Sequence, residues 1–264
     1  MGGLDSKTTA KIYNGLVAGK SRYNLATGIW TKDQAQVKLE RALRKKLSQS
    51  GFHYRSASIE RLYIPRSLGG RGLTSISHTY DQAMLALASY CQCATNELHR
   101  KILEAAWSLH QQHQVRGLVT RTLEVVERYP SLSMTTESGR LSMSIDGEMQ
   151  VVEAKDRRKL GQLVKISQIE RNTATLKGKV IHGVFYKNIE ELGAEGCSQW
   201  LVEGKLQPTD EAKLIVSQDG TLKTNKYLRE VLGTQVSPMC RLCKLNGESV
   251  GHILSACDRH KFCL

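Results

Sequence analysis

Four potential metal ligands lie close together near the end of the sequence. Residues 239–260, MCRLCKLNGESVGHILSACDRH, contain three of the seven cysteines and two of the eight histidines in a chain of 264 residues. Cys240, Cys243, His252 and Cys257 have the spacing Cys-x2-Cys-x8-His-x4-Cys. The first pair suits a turn that directs two thiolates at one ion, and the x4 spacing lets the second pair converge from one short helix. Four nitrogen and sulfur ligands without a carboxylate predict a closed, structural Zn²⁺ site, the alternative being a chance cluster of reduced cysteines.

The remaining cysteines and the flanking sequence carry no comparable signal. Cys91 and Cys93 stand two residues apart in a helical run, which favours core packing over metal binding. No run of about 18 apolar residues is present, and the first 15 residues lack the apolar region of a secretory signal. We therefore expect an intracellular protein, nuclear or cytoplasmic and not secreted, in which clustered cysteines bind metal rather than form disulfides.

Motifs of the common catalytic sites are missing from the sequence. No two aspartates are adjacent and no proline precedes an aspartate, which argues against a polymerase-type metal pair or a restriction-like nuclease site. Gly-x-Ser-x-Gly, His-Glu-x-x-His and Walker patterns are also missing. We expect no catalytic residues, and no enzymatic activity of the chain on its own.

The charge of the chain is concentrated at one end. Residues 1–72 hold 14 Lys or Arg against 4 Asp or Glu, a local net charge of +10 out of the total of +13. This distribution predicts a surface for a polyanion such as RNA or DNA, and a basic segment that only improves solubility is the alternative.

One predicted helix carries much of this positive charge. Residues 31–51 combine capping-box spacing at Thr31 and Gln34, leucines every fourth residue, and a terminal Gly51. The leucines would dock on the body of the protein while basic side chains lie along phosphates, unless the face is merely solvated. The basic residues of this helix are Lys38, Arg41, Arg44, Lys45 and Lys46.

A glycine-rich segment follows, with the sequence RLYIPRSLGGRGLTSI at residues 61–76. Residues 61–64 are predicted to form a short strand that ends at Pro65. Glycines at 69, 70 and 72 permit tight turns beside Arg66 and Arg71, which could bring both guanidinium groups to phosphates.

The rest of the pattern indicates a mainly α protein. Helical periodicity covers residues 79–129, resumes at 153, and continues as short helices through 197–232. Residues 130–152 alternate loosely, with turn signals at Gly139 and Asp146-Gly147, and form either a small β-hairpin or a flexible linker.

Several of these segments together resemble a known family. RLYIPRSLGGRGL followed about 170 residues later by CRLCKLNGESVGHILSAC resembles the C-terminal half of reverse transcriptases from non-LTR retrotransposons of the restriction-like-endonuclease class. GIWTKDQAQVKLERALRKKL resembles the family's basic thumb helix. KGKVIHGVFYKNI and WLVEGKLQPTDEAKLIVSQDGTLKTNKYLREVL resemble its helical linker.

The resemblance implies a position within a larger polyprotein. In that family the catalytic aspartates of the polymerase precede this region, and the endonuclease follows a zinc knuckle that corresponds to residues 238–258 here. We therefore expect a truncated fragment that binds RNA template or target DNA without catalysis. A full-length reverse transcriptase of the same element is a further expected partner. Arg241 and Lys244 on the knuckle are added to the expected nucleic-acid contacts. The expected segments are a basic thumb-like segment (1–76), a linker block (77–129), the hairpin or flexible segment (130–152), a second linker block (153–237) and the CCHC knuckle (238–258).

A different class of function is also compatible with the sequence. The knuckle could mediate protein contacts in an interaction or scaffold protein that binds no nucleic acid. Salt-sensitive binding of RNA or DNA distinguishes the two hypotheses.

Overall fold

The computed structural model describes residues 4–28, 30–135, 139–145, 147–192 and 194–261. The chain forms two compact units, each assembled from separate stretches. We call residues 1–11, 44–73 and 172–264 the knuckle unit, and residues 12–43 and 74–171 the sheet unit. Both units combine stretches that are distant in sequence.

The described residues are mainly helical, as predicted. Strands β1 (Leu132–Met134), β2 (Leu141–Ile145) and β3 (Glu148–Val151) form one small sheet. Short 3-10 turns occupy Arg66–Leu68 and Ala154–Asp156, and π-helical turns occupy Tyr13–Ala18, Ala35–Glu40 and His252–Ala256. The α-helices are α1 (Ser6–Ile12), α2 (Gly19–Thr27), α3 (Lys32–Gln34), α4 (Arg41–Gln49), α5 (Glu60–Tyr63), α6 (Ile76–Cys93), α7 (Glu97–His113), α8 (Leu118–Val126), α9 (Arg157–Gly178), α10 (Val184–Leu192), α11 (Ala194–Glu203), α12 (Pro208–Gln218), α13 (Asn225–Glu230) and α14 (Asp258–Lys261).

The predicted basic helix begins and ends where its sequence indicates. The Thr31 hydroxyl accepts a hydrogen bond from the Gln34 backbone at 3.0 Å, and the Gln34 side chain accepts one from the Thr31 backbone at 3.1 Å. This reciprocal pair is a capping box that satisfies backbone donors at the helix start. After α4 the chain turns at Gly51, whose φ of +73° suits a residue without a side chain.

The core of the sheet unit forms between α6, α8, α9 and the small sheet. Tyr80 and Met84 of α6 are fully buried there, together with Val125 of α8 and Leu141 of β2. The sheet is antiparallel in the order β1-β2-β3. Residues 130–152 therefore contain the predicted hairpin, extended by a third strand. Of the two turn signals, Asp146 lies outside the described residues.

One buried carboxylate organises charge within the sheet unit. Asp81 of α6 has no exposed surface, and its carboxylate accepts hydrogen bonds from Lys32 at 2.9 Å, Arg128 at 2.7 Å and Tyr129 at 2.9 Å. Because a buried charge is costly unless it is paired and hydrogen-bonded, these three donors explain how Asp81 can lie in a core.

The knuckle unit contains smaller hydrophobic clusters. Ile64 packs with Leu176 and Tyr186 in one cluster. A second cluster contains Ala57, Leu201, Ile215 and Val216. Among the described residues, no helix is both long enough and apolar enough to cross a bilayer.

The expectation of a strand at residues 61–64 is wrong. Residues 61–63 belong to the helical turn α5, and Ile64 after it is extended before Pro65. The backbone carbonyls of Arg61 and Leu62 accept hydrogen bonds from Arg71 and Leu73 of the following loop, at 2.7 Å and 2.8 Å. The segment closes on itself rather than pairing with a strand.

Candidate metal centre

The four predicted ligands meet at one point in the knuckle unit. One side-chain ligand atom from each of Cys240, Cys243, His252 and Cys257 lies within 4.8 Å of every other. The Cys240 and Cys257 sulfurs are 3.9 Å apart, and the Cys243 sulfur is 3.3 Å from His252 Nε2. Cys240 and Cys257 are almost completely buried, at 1 % exposure each. This Cys3His group could hold a metal ion.

A tight turn positions the first two cysteines. The Lys244 N–H donates to the Cys240 carbonyl at 2.9 Å, and the Cys240 N–H donates to the Asn246 carbonyl at 2.7 Å. Lys244 has φ of +59°, a left-handed conformation that lets the chain reverse within a few residues. Antiparallel pairing of Met239 with Gly247 closes the turn. The Cys-x2-Cys spacing thus directs both sulfurs to the same side, as predicted.

A short helix positions the second pair of ligands. The Ser249 hydroxyl accepts a hydrogen bond from the His252 N–H at 3.0 Å, which caps the helix start. His252 opens the π-helical turn His252–Ala256, and Cys257 follows it in an extended conformation. Gly251, which precedes this turn, has helical backbone angles.

Local hydrogen bonds favour the metal-binding form of Cys243. The backbone N–H groups of Leu245 and Asn246 lower the pKa of the Cys243 thiol to about 6. A thiol with this pKa is mostly ionised at neutral pH, and the thiolate is the form that binds metals.

Glu248, which sequence reasoning missed, fixes the knuckle to the start of α13. Its buried carboxylate accepts hydrogen bonds from the backbone N–H of Arg241 at 2.8 Å and of Asn225 at 2.9 Å. The Arg241 guanidinium binds the same carboxylate at 2.7 Å. These contacts lower the pKa of Glu248 to about 2, and the hydrogen bond from the Arg241 side chain has the largest effect. The sequence signal that could have identified Glu248 is its position, five residues after the second cysteine of the Cys-x2-Cys pair.

The predicted nucleic-acid contacts on the knuckle differ in their surroundings. The Arg241 side chain is 65 % exposed but is engaged by Glu248. Lys244 is exposed at the tip of the turn. Of these two cations, Lys244 is therefore the more accessible to a phosphate.

The basic residues of the predicted thumb-like helix are mostly exposed. Arg44 is half-buried. Within the described ranges, the other four form no ion pair. These four are Lys38 and Arg41 in the sheet unit, and Lys45 and Lys46 in the knuckle unit.

The arginines of the glycine-rich segment form ion pairs within the chain. Arg71 has no exposed surface, and its guanidinium donates to Glu211 of α12 at 2.9 Å and to the Ser6 hydroxyl at 2.7 Å. Arg66 binds both oxygens of Glu211 and donates to the Leu201 carbonyl at 2.7 Å. In this structure Arg71 has no exposed group with which to contact a phosphate, and the guanidinium of Arg66 is occupied by Glu211.

Arg61 forms a second buried pair with the same helix region. It has no exposed surface, and it donates to Asp219 at 2.8 Å and to the Gly69 carbonyl at 2.8 Å and 3.0 Å. Asp219 is also fully buried and accepts a hydrogen bond from the Ser58 N–H. Glu211 and Asp219 thus fix the glycine-rich segment against α12.

Of the two cysteines in α6, Cys91 is buried, as predicted, and Cys93 is half-buried. Cys91 lies in a buried cluster with Leu103 and Val119, and burial raises the pKa of its thiol. The Cys93 sulfur lies 3.3 Å from the Val152 carbonyl. Neither belongs to the Cys3His group.

Comparison of the chain with known proteins returns no match among family models, curated proteins or solved structures.

Proposed function

We propose that this chain is a nucleic-acid-binding part of a retrotransposon-derived reverse transcriptase polyprotein, that it holds one structural Zn²⁺, and that it performs no catalytic step itself. The observation that carries this proposal is the Cys3His group, because its four ligands lie within 17 residues of one another in the sequence and converge on one point. The sequence resemblance to non-LTR reverse transcriptases supplies the larger context.

The geometry of the ligand atoms supports zinc. In a tetrahedral site with Zn–S bonds of about 2.3 Å and Zn–N bonds of about 2.0–2.1 Å, sulfurs lie about 3.8 Å apart and a sulfur lies about 3.6 Å from a nitrogen. The corresponding distances here are 3.9 Å and 3.3 Å. A set of three thiolates and one imidazole also matches structural zinc in its softness. Such an ion would hold the knuckle folded without taking part in a reaction.

Metal analysis tests this assignment. We expect one Zn²⁺ per chain after purification without added metal, and less than half of that in Cys243→Ser. Cys197→Ser is the matched control, because Cys197 lies outside the ligand group. Iron in place of zinc, or equal zinc in wild type and Cys243→Ser, would refute the assignment.

Exposed cations support the nucleic-acid contacts. The Lys45 and Lys46 side chains on α4 and Lys244 on the knuckle are exposed within one unit. Because phosphate contacts release condensed counterions, binding through such side chains gives affinity that falls with salt and carries little sequence information.

Binding of labelled single-stranded RNA and duplex DNA at two salt concentrations tests this part. We expect salt-sensitive binding, and we expect Lys45→Gln/Lys46→Gln to reduce the slope of log K against log salt by about 0.7–0.9 per lost contact. The matched control is Lys155→Gln/Lys213→Gln, which removes the same charge from two exposed lysines that pair with neighbouring acids. Equal slopes in the two double variants would exclude α4 as the contact surface.

A second candidate function is protein binding through the knuckle. Leu242, Leu245 and Leu254 are exposed by 54 %, 74 % and 69 %. Exposed leucines in so small a segment are typical of a contact surface for another protein. Absence of salt-sensitive RNA and DNA binding in the micromolar range would favour this candidate over the first.

A further inference from the structure

The knuckle unit contains a cavity of about 710 Å³ that is separate from the metal centre. It lies between the loop after α4, the two ends of α12 and the helix α13. Its volume falls within the roughly 300–1,000 Å³ of typical small-molecule sites. The residues that line it are Ser48, Gln49, Gly51, His53, Tyr54, Arg55, Ser56, Thr209, Val216, Thr221, Leu222, Lys223, Tyr227 and Leu232.

Two buried polar atoms that line this cavity have no hydrogen-bond partner within the described part of the chain. His53 is 5 % exposed and its Nε2 atom has no hydrogen bond. Thr221 is fully buried and its hydroxyl has no hydrogen bond. Because buried polar atoms are almost always hydrogen-bonded, a ligand in the cavity could supply the partner of each atom.

His53 is prepared to act as a neutral hydrogen-bonding group. Burial and, after it, the charge of Arg71 lower the pKa of His53 to about 4. At neutral pH its imidazole is therefore uncharged, so Nε2 either donates or accepts a single hydrogen bond. Thr221 can do both, which suits a ligand with heteroatoms along one edge.

The charged lining residues are all cationic. Arg55 and Lys223 are exposed, and neither has an ion pair or hydrogen bond within the described part of the chain. Among the described residues that line the cavity, none is Asp or Glu. An anionic group of a ligand would find two cations and no opposing carboxylate.

The remaining lining residues suit a planar ring. Tyr54 and Tyr227 contribute aromatic surface, and Val216, Leu222 and Leu232 contribute aliphatic surface. Aromatic side chains bind nucleobases by stacking, whatever the base. The cavity thus combines ring-binding surface, buried hydrogen-bonding groups and exposed cations.

We propose that this cavity binds one unpaired nucleotide, with the base among the tyrosines and aliphatic side chains and the phosphate beside Arg55 and Lys223. His53 and Thr221 hydrogen-bond the polar edge of the base. The nucleotide is either a free nucleoside monophosphate or an unpaired nucleotide of a strand. The inference goes beyond the function proposed above, because it uses neither the metal ligands nor the exposed cations of the basic helix.

Titration calorimetry with AMP, UMP, adenosine and inorganic phosphate tests the proposal on the full chain. We expect saturable binding of the monophosphates, weaker binding of adenosine, and competition between AMP and UMP. Lys223→Gln should weaken AMP binding by about threefold to tenfold while leaving adenosine unchanged. Lys205→Gln, at an exposed lysine outside the cavity, is the matched control.

Thr221→Val tests the buried hydrogen bond with little change in shape. We expect at least about threefold weaker binding of both AMP and adenosine. Since Lys223 is exposed, Lys223→Gln remains informative if Thr221→Val fails to fold. No saturable binding at millimolar AMP, or AMP affinity unchanged in Lys223→Gln, overturns the proposal.

A short single-stranded oligonucleotide separates the two sources. Tighter binding of the oligonucleotide than of AMP, with the sensitivity to Lys223→Gln preserved, identifies a nucleotide within a strand. Equal affinities identify the free nucleotide. Loss of salt-sensitive binding in Lys45→Gln/Lys46→Gln with intact AMP binding would separate this cavity from the helix surface.

Discussion

Two regions of the knuckle unit contain clustered side chains that could bind an ion. They differ in what these side chains contact in the folded chain. The glycine-rich segment carries Arg61, Arg66 and Arg71, and all three find carboxylates within the chain, at Glu211 and Asp219. In the Cys3His group, three sulfurs and one imidazole nitrogen converge instead on one point, where they could hold a metal ion. Arginines near glycines indicate a phosphate site only when no internal acid neutralises them.

The largest expected effect is loss of the metal-binding group. Structural zinc contributes about 10–16 kcal/mol of apparent binding free energy in small zinc domains, and there that energy is folding energy. We expect Cys240→Ser to release the metal and to accelerate amide hydrogen exchange across residues 225–257. Exchange in the sheet unit should not change. Slow exchange retained in the knuckle of Cys240→Ser would mean that Glu248 and the local turns suffice without metal.

The next largest effect is expected at the internal pairs. Arg61→Met leaves Asp219 buried without its main counter-charge, which typically costs about 3–5 kcal/mol. Denaturant unfolding should show that loss, and the double variant Arg61→Met/Asp219→Leu should recover part of it.

An exposed arginine is the matched control for that measurement. Arg241→Met breaks the pair with Glu248, but its side chain is 65 % exposed and Glu248 keeps two backbone donors, so we expect a loss of about 1 kcal/mol. Similar losses for Arg61→Met and Arg241→Met would contradict the contrast between the two regions.

Protonation of buried histidines gives the third effect. The pKa of His53 in the knuckle unit and of His78 in the sheet unit is lowered to about 4, in both cases chiefly by burial. The unfolded chain takes up these protons near pH 6.5, so stability is full above that pH and falls as the pH drops toward 4. Each histidine contributes up to about 3 kcal/mol to this fall.

Glutamine substitutions separate the two histidines. His53→Gln should remove about half of the pH dependence of the unfolding free energy between pH 6.5 and 4. His113→Gln, at an exposed position, is the control. If the pH dependence of the unfolding free energy is unchanged in His53→Gln, folding does not lower the pKa of His53. The protonated imidazole would then have gained a stabilising partner below pH 6.5.

The smallest effect compares two glycines. A Cβ atom at Gly70 would lie 2.0 Å from the Ile64 carbonyl oxygen, so Gly70→Ala should lower the unfolding free energy by more than about 1 kcal/mol. A Cβ atom at Gly251 meets nothing within 4 Å, and its backbone is helical. Gly251→Ala should therefore be neutral or stabilise by up to about 1 kcal/mol. Thermal unfolding of both variants measures the difference, and equal melting temperatures would contradict it.

Local features of the fold could be predicted from the sequence. The capping box at Thr31, the start of α12 at Pro208, the hairpin within 130–152 and the ligand set of the knuckle depend on residues close to each other in the chain. Spacing alone determines such features, because turns and single helices impose it.

Distant pairs could not be predicted in the same way. Arg71 lies 140 positions from Glu211, and Arg61 lies 158 positions from Asp219. The spacing of Glu211 and Asp219 did carry a signal, because eight positions are close to two helical turns. Both residues therefore lie near the buried face of α12, which is formed by Ala212, Ile215 and Val216. Neither the glycine-rich segment nor α12 indicates by its own sequence that the two pack together.

The separation of these charge partners also fixes an order of events during synthesis. A ribosome delivers Arg61, Arg66 and Arg71 long before it delivers Glu211 and Asp219. Until Glu211 and then Asp219 have emerged, the guanidinium groups that pair with them have no native carboxylate and stay hydrated or bind other anions. A truncation before α12 would leave these three arginines without their carboxylate partners.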